Sequence, residues 1–266
     1  MSGGKSGRPY ALIRVEHREG VAAITLDNPT RRNAIGVRMV NELIYALEDA
    51  FADELVRSVV LTGAGDKAFC AGGDFIQMSG GADGTELPPK GDYADLLLVM
   101  VAAPKPIVAR VNGHALGGGL GLVAACHFAV GVHGAKLGTP EVDVGLFPMM
   151  IMAVLRRLMP HRAMVQMMLL GEKLEANRAV ELGLLGRSVE PSELDAAIRE
   201  ITDAIAAKSP IAIRLGLEAL ADQEDRSLAD ALPRLRDALA GCLATDDARE
   251  GLMAFLEKRK PVWTGR

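Results

Sequence analysis

The first sixty residues alternate between two apolar patterns. Residues 11–15 and 21–26 are short runs rich in β-formers, and the Glu19-Gly20 pair between them predicts a hairpin turn. From residue 37 to residue 51 the apolar side chains recur every three or four positions, which is the spacing of an amphipathic helix. Residues 58–62 then form an apolar run typical of a buried strand. The first part of the chain therefore predicts the order strand, strand, helix.

The same order returns less regularly further along the chain. Residues 106–111 and 128–131 are predicted strands, and residues 118–126 between them are a predicted helix. A glycine- and proline-rich stretch at residues 79–91 fits neither pattern and predicts a mobile loop.

Beyond about residue 191 only helical spacing remains. The predicted helices cover residues 194–205, 211–220, 228–243 and 246–258. We therefore expect two parts without a low-complexity linker between them, an α/β core over residues 1–190 and a helical region over residues 191–266.

Composition narrows the function classes. The net charge is −4 over 266 residues and no basic face is concentrated, so we expect no nucleic-acid partner. The longest apolar runs, at residues 96–103 and 147–155, are far shorter than the roughly 20 residues that span a bilayer. The first seven residues have no apolar signal segment, and three irregularly spaced cysteines predict neither a disulfide framework nor a metal cage. These features favour a cytoplasmic protein without a membrane partner.

The most informative segment is a glycine-rich turn at residues 111–122. Gly117, Gly118 and Gly119 follow a predicted strand and open an apolar helix. Glycine lets a backbone approach a ligand closely, and the first amides of a helix are unpaired and lie at the positive end of its dipole. The segment therefore suits an oxygen that becomes negative during a reaction. Glu141, twenty positions after Gly121, supplies a carboxylate for acid/base chemistry.

Several further segments resemble one known family. They are Asn28-Pro29 with Arg32-Asn33-Ala34, the run 68–74 (AFCAGGD), the run 105–109 (KPIVA), Thr139-Pro140-Glu141, the run 145–148 (GLFP), and Glu250-Gly251 with the run 255–259 (FLEKR). In this order and spacing the chain resembles the crotonase (enoyl-CoA hydratase/isomerase) superfamily over nearly its whole length.

The resemblance implies an architecture and a ligand class. The implied fold is an α/β, crotonase-type spiral of repeated ββα units with a C-terminal α-helical trimerisation region. The implied assembly is a homotrimer or a hexamer built as a dimer of trimers. The implied substrate is an acyl-CoA thioester, with no cofactor other than the coenzyme A that the substrate carries.

The resemblance also implies a role for individual residues. The backbone amides of Gly73 and Gly118 would form the oxyanion hole, and Glu141 would be the catalytic acid/base. The residues implied in substrate and coenzyme A binding are Arg31, Arg32, Ala34, Ala71, Asp74 and, from a neighbouring subunit, Lys258; those implied in the acyl pocket are Gly121, Met149 and Met150. By contrast, Cys70, His114 and His127 are interpreted as packing or structural hydrogen-bonding residues.

The chain departs from the family pattern at three places, and the first of them limits which reactions are possible. Family hydratases commonly use two glutamates, and this chain has Gly121 at the position of the second one. The run Met149-Met150-Ile151-Met152 also replaces a usual glycine-rich run, and His127 is found where an aspartate is usual. Two single-glutamate reactions remain equally open, isomerisation of a 3-enoyl-CoA and hydration of a 2-enoyl-CoA. The alternatives are a catalytically silent acyl-CoA-binding protein, or a hydrolase or lyase on the same scaffold.

Overall fold

The computed structural model describes residues 8–74 and 87–266. The strands are β1 (Ile13–Arg18), β2 (Val21–Leu26), β3 (Ser58–Gly63), β4 (Ala68–Cys70), β5 (Ile107–Val111), β6 (His114–Leu116), β7 (Phe128–Val132), β8 (Lys136–Gly138), β9 (Lys173–Glu175) and β10 (Arg187–Val189). The α-helices are α1 (Val37–Ala52), α2 (Tyr93–Val101), α3 (Gly118–Ala124), α4 (Met149–Leu155), α5 (His161–Leu170), α6 (Ala176–Glu181), α7 (Leu194–Ala206), α8 (Pro210–Gln223), α9 (Leu228–Leu243) and α10 (Asp246–Leu256). Part of the predicted loop at residues 79–91 lies outside the described residues.

The strands form two sheets that the chain visits alternately. One sheet has the order β1-β2-β3-β5-β7-β10, and the other has the order β4-β6-β8-β9. The chain passes from β3 to β4, from β5 to β6 and from β7 to β8, so each turn places one strand in each sheet. All pairings in the larger sheet after the β1–β2 hairpin are parallel. The predicted spiral of ββα units is confirmed.

The core lies where α1 and the larger sheet pack together. Ile24, Leu26 and Leu61 from the sheet and Met39 and Leu43 from α1 are almost completely buried. The central strand β3 is buried along most of its length, which explains its unbroken apolar run in the sequence. This rigid layer supports the smaller sheet, whose strand ends carry the candidate site.

The hairpin and the C-terminal helices match the sequence predictions closely. Glu19 and Gly20 form the two-residue turn between β1 and β2. Both have positive φ, 51° and 79°, as the common two-residue hairpin turn requires. The α8, α9 and α10 helices begin directly after Ser209, Ser227 and Thr245, whose hydroxyls each accept a backbone N–H of the first turn.

The predictions missed several short elements. Strands β4, β6, β8, β9 and β10 have three residues each, too few to show an alternating pattern. Predicted helix 118–126 ends at Ala124 instead. In the sequence, helix α2 appears only as an apolar run, because its apolar residues do not lie on one face at helical spacing. In the part of the chain that the structure describes, no helix combines the length and apolarity needed to cross a bilayer.

Candidate active site

A cavity of about 420 Å³ opens beside the ends of β4 and β6. Its walls are mostly apolar, and they are contributed by the start of α1, the start of α2, the first residue of α3, and the segment around α4. Five of the residues singled out by the sequence line it together: Gly73, Gly118, Glu141, Met149 and Met150. These residues are far apart in the chain, so the fold itself assembles the site.

Gly73 follows β4 and forms an isolated parallel bridge with Ile35. Ile35 donates its N–H to the Gly72 carbonyl and accepts the N–H of Asp74, both at 2.8 Å. In this parallel bridge Ile35 uses its own N–H and C=O, whereas Gly73 contributes neither, because the bonds go to its neighbours Gly72 and Asp74. The Gly73 amide is therefore turned away from Ile35 and remains available on the cavity wall.

Gly118 is the first residue of α3, so its N–H has no partner within the helix. The preceding Gly117 has φ 51° and ψ −128°, a conformation that a side chain would strongly disfavour. Its amide donates to the Gly138 carbonyl at 2.9 Å, which fixes the turn. A β-carbon on Gly72 would lie only 3.7 Å from Gly117 Cα, so the two glycine segments run side by side.

Asn33 holds the loop that carries the Gly73 segment in place. This side chain is 1 % exposed, and its amide nitrogen donates to the carbonyls of Ala64, Ala68 and Phe69. Its carbonyl oxygen accepts the N–H of Asn28 at 3.1 Å. Asn33 is a positioning residue that the motif contained but that the sequence alone gave no role.

Glu141 lies in a 3-10 helix, Pro140–Val144, and its carboxylate leans over the glycine turn. A β-carbon on Gly117 would be 2.9 Å from Glu141 Oε1. Atom Oε2 is buried and has no hydrogen-bond partner among residues 8–74 and 87–266. Burial raises the pKa of Glu141 above its ordinary value of 4.5, although the residue's own backbone amide offsets part of the rise. A desolvated carboxylate with a free oxygen is suited to accept a proton from a ligand.

Tyr93 occupies the space in front of Gly121. The phenol donates to the Gly118 carbonyl at 2.5 Å, and the ring lines the cavity. A β-carbon on Gly121 would overlap the Tyr93 hydroxyl oxygen and Cγ2 of Ile151. Gly121, predicted to belong to the acyl pocket, therefore lies behind these two side chains and not on the cavity wall. No role for Tyr93 is predicted from the sequence.

Two interactions place Tyr93 at the start of α2. Asp92 caps the helix by accepting the N–H of Ala94 at 2.8 Å, and Asp95 accepts the N–H of Asp92 in return. Asn41 of α1 holds the residue before the cap, because its side chain bonds both the N–H and the carbonyl of Gly91. Tyr93 is thus fixed relative to α1 as well as to α3.

Filling the space at Gly121 is expected to destabilise the protein. The Gly121→Ala variant should lower the free energy of unfolding by about 1–3 kcal/mol, because Tyr93 and Ile151 must move to admit the methyl group. The matched control is Gly241→Ala, an exposed position inside α9 with no atom within 4 Å, where alanine should stabilise by up to about 1 kcal/mol. Urea unfolding of both variants measures the difference, and a Gly121→Ala protein as stable as wild type would contradict this packing.

The residues implied in coenzyme A binding fall into three places. Arg31 forms an ion pair with the buried Asp74 at 2.6 Å, and Ala34 follows in the same loop. Arg32 and Ala71 line a second cavity of about 630 Å³ and are joined by a 3.0 Å backbone hydrogen bond.

Lys258 is in the third place, with φ 56° just after α10. It lies apart from both cavities within one chain. The coenzyme A roles of these six residues stay predictions.

His114, His127 and the buried Cys70 have structural partners. His127 Nδ1 accepts the N–H of Ile107 at 3.1 Å, and His114 Nδ1 accepts the N–H of Lys136 at 3.0 Å. Burial raises the pKa of Cys70 to about 12, so its thiol stays protonated at neutral pH. Their interpretation as structural residues agrees with these contacts.

Comparison with known proteins gives a consistent picture. The family model for enoyl-CoA hydratase/isomerase matches residues 16–266. Crotonyl-CoA hydratase of Syntrophomonas wolfei is 33% identical over 254 residues, which cover 94% of this chain and 97% of that protein. Short-chain-enoyl-CoA hydratase of Clostridium acetobutylicum is 32% identical over 251 residues, or 93% and 95% of the two chains. The crystal structure of an enoyl-CoA hydratase from Bacillus anthracis is similar with a TM-score of 0.88 and 30% identity, covering 96% of this chain and all of that one.

Proposed function

Since this chain belongs to the enoyl-CoA hydratase/isomerase family, we propose that it adds water to the double bond of a 2-enoyl-CoA thioester. One observation carries the proposal: the Glu141 carboxylate, whose Oε2 atom has no hydrogen-bond partner among the described residues, shares a cavity with Gly73 and Gly118. The hydratase names of the relatives support the choice of water as the second reactant.

The two amides activate the thioester. Attack on the β-carbon moves the double-bond electrons toward the thioester carbonyl, so negative charge develops on its oxygen. Convergent N–H donors in a largely apolar cavity stabilise that charge more than they stabilise the neutral carbonyl. Each donor contributes about 3–4 kcal/mol to transition-state stabilisation by this means.

Glu141 handles the proton at both stages. Its ionised form takes a proton from the attacking water while the oxygen bonds to the β-carbon. The protonated acid then gives that proton to the α-carbon as the enolate collapses. The raised pKa of Glu141 suits the second step, because a desolvated carboxyl group holds the proton more firmly until the α-carbon takes it.

The cavity mouth fits an apolar acyl group. Val37, Leu146, Met149 and Met150 are all exposed there and leave little polar surface on that side. Methionine side chains are flexible and polarizable, so they adapt to acyl groups of different shape. We propose that these four residues contact the acyl chain, and that Arg31 and Arg32 lie toward the coenzyme A end.

Isomerisation of a 3-enoyl-CoA is the second candidate. It requires one base that removes an α-proton and returns it at the γ-carbon. The supporting observation is that Glu141 is the only carboxylate besides the capping residue Asp92 among the described residues that line the cavity. Hydration is preferred because both relatives compared above are named as hydratases.

Product analysis in deuterated water tests these reactions. Crotonyl-CoA should gain the mass of one water, whereas 3-hexenoyl-CoA should change its double-bond position without adding water if the enzyme is an isomerase. Release of free coenzyme A would instead identify a hydrolase or a lyase. Binding of acyl-CoA without turnover of either substrate would refute the proposal in favour of a silent binding protein.

The rate of hydration is expected to fall on the acid side. Because Glu141 must be ionised to accept the water proton, kcat/KM should decline by about tenfold per pH unit once the pH drops below the pKa of Glu141 in the free enzyme. Burial raises this pKa, so the decline should begin above pH 4.5. A pH profile of kcat/KM with crotonyl-CoA measures it, and a rate that stays constant down to pH 4.5 would contradict the assignment.

We also propose that the chain assembles as a homotrimer or as a dimer of trimers. Support comes from the C-terminal helix α10, where Leu252, Phe255 and Leu256 are 61%, 81% and 73% exposed. Three large apolar side chains exposed on one short helix are typical of a surface that another chain covers. In such an assembly Lys258 would reach the coenzyme A of a neighbouring subunit.

A further inference from the structure

The cavity has a polar group at the position where a second acid is missing. Gly121 offers no side chain, and the space that its side chain would enter contains the hydroxyl oxygen of Tyr93. This oxygen belongs to Tyr93 of α2, a residue that lines the cavity, and not to a residue of α3.

The hydrogen-bonding capacity of Tyr93 limits what it can do. A phenol has one hydrogen to donate and two lone pairs to accept with. The hydrogen is committed to the Gly118 carbonyl at 2.5 Å, and the oxygen makes no other hydrogen bond within residues 8–74 and 87–266. Tyr93 can therefore act toward a ligand only as an acceptor. Burial, with smaller effects from Cys70 and Glu141, raises the pKa of Tyr93 well above its ordinary value, which keeps the phenol neutral.

We propose that Tyr93 orients the water that attacks the substrate, accepting one of its hydrogens while Glu141 accepts the other. This inference rests on the proposed hydration reaction. A water held by both hydrogens directs an oxygen lone pair away from Tyr93 and Glu141, toward the space beside the two amides where the thioester binds. Tyr93 is thus a water-positioning residue, and Glu141 remains the group that transfers the proton.

The step balances without any further reactant. The water oxygen forms a bond to the β-carbon, and one water proton passes to Glu141. The double-bond electrons move to the thioester oxygen, which the amides of Gly73 and Gly118 stabilise. The enolate then takes the proton from Glu141 at the α-carbon, so the product carries all the atoms of the water. The second water hydrogen stays on the new hydroxyl group throughout, in contact with Tyr93.

The test compares two reactions that need different parts of the site. Hydration of crotonyl-CoA requires an oriented water, whereas exchange of the α-protons of butyryl-CoA with deuterated water requires only Glu141 and the two amides. The variant is Tyr93→Phe, which keeps the ring and removes the hydroxyl. The matched control is Tyr45→Phe, because Tyr45 also donates to a backbone carbonyl, that of Pro88, but does not line the cavity.

Tyr93→Phe is expected to lower kcat for hydration by about tenfold while α-proton exchange stays within about twofold of wild type. The Tyr45→Phe variant should change neither reaction. Equal losses of hydration and exchange would overturn the inference, because they would mean that Tyr93 acts only by holding Gly118. Unchanged hydration would also overturn it. A wild-type protein that exchanges α-protons but adds no water would refute both the inference and the hydratase proposal, whereas the expected split supports both.

Discussion

Replacing Glu141 by glutamine is expected to reduce kcat for crotonyl-CoA hydration by about 10³-fold. The amide has nearly the same shape as the carboxylate but cannot accept the proton of the attacking water. The loss should appear in α-proton exchange as well, because both reactions pass through the same base. Steady-state kinetics and mass spectrometry in deuterated water measure the two effects.

The matched control for this variant is Asp143→Asn. Asp143 lies in the same 3-10 helix two positions later, but its side chain is exposed and does not line the cavity. Its amide variant should keep wild-type activity. If Glu141→Gln were as active as Asp143→Asn, Glu141 would not be the catalytic base.

The Glu141→Gln variant also has an expected effect on the free energy of unfolding. Because the folded-state pKa of Glu141 is raised, the folded protein binds its proton more tightly than the unfolded chain does. The wild type therefore loses stability as the pH rises from about 4.5, the ordinary value, through the folded-state pKa. Glu141→Gln should lack this loss, so its stability relative to wild type should increase between pH 4 and pH 8 in urea unfolding.

Removing the amide hydrogen of Gly118 is expected to lower kcat by about 10²–10³-fold. The Gly118→Pro variant does this with little damage to α3, because proline is well tolerated as the first residue of a helix. The expected loss corresponds to one oxyanion donor. The melting temperature of the purified variant measures any damage to the fold, and steady-state kinetics measure the loss of kcat.

Gly118→Ala separates the lost hydrogen from the added side chain. Its β-carbon would meet Ile35 Cδ1 and Tyr93 Cζ at 3.5 Å, which is ordinary van der Waals contact, and the N–H remains. Alanine should therefore keep most of the activity. A proline variant no slower than the alanine variant would show that the Gly118 amide does not bind the oxyanion.

The sequence predicted the parts of the fold that have long, regular patterns. Strand β3 is a buried strand of six residues with an apolar run at its centre, and the hairpin, α1 and the four C-terminal helices each extend over enough residues to display a pattern. The three-residue strands β4 and β6, which carry the glycines of the site, do not. Their location followed only from the resemblance to a family.

The candidate site was predictable to a similar extent. A triple glycine before a helix has a direct physical interpretation, and Glu141 follows at a family-like spacing. Asn33 and Tyr93 were not predicted, because their roles depend on contacts between segments that are distant in the chain. Gly121 revealed that a carboxylate was missing, but only the packing of α2 against α3 shows which side chain takes its space.

The pairing of β4 with β6 has a consequence for how new activities can arise on this scaffold. The two strands are parallel neighbours about 4.8 Å apart. Gly73 comes three residues after the end of β4, and Gly118 comes two residues after the end of β6. The separation of the two amides therefore depends on backbone pairing, whereas Glu141, the proposed acid/base, comes from a separate 3-10 helix. A descendant of this chain could exchange, lose or relocate an acid without rebuilding the pair of amides that we propose to activate the thioester.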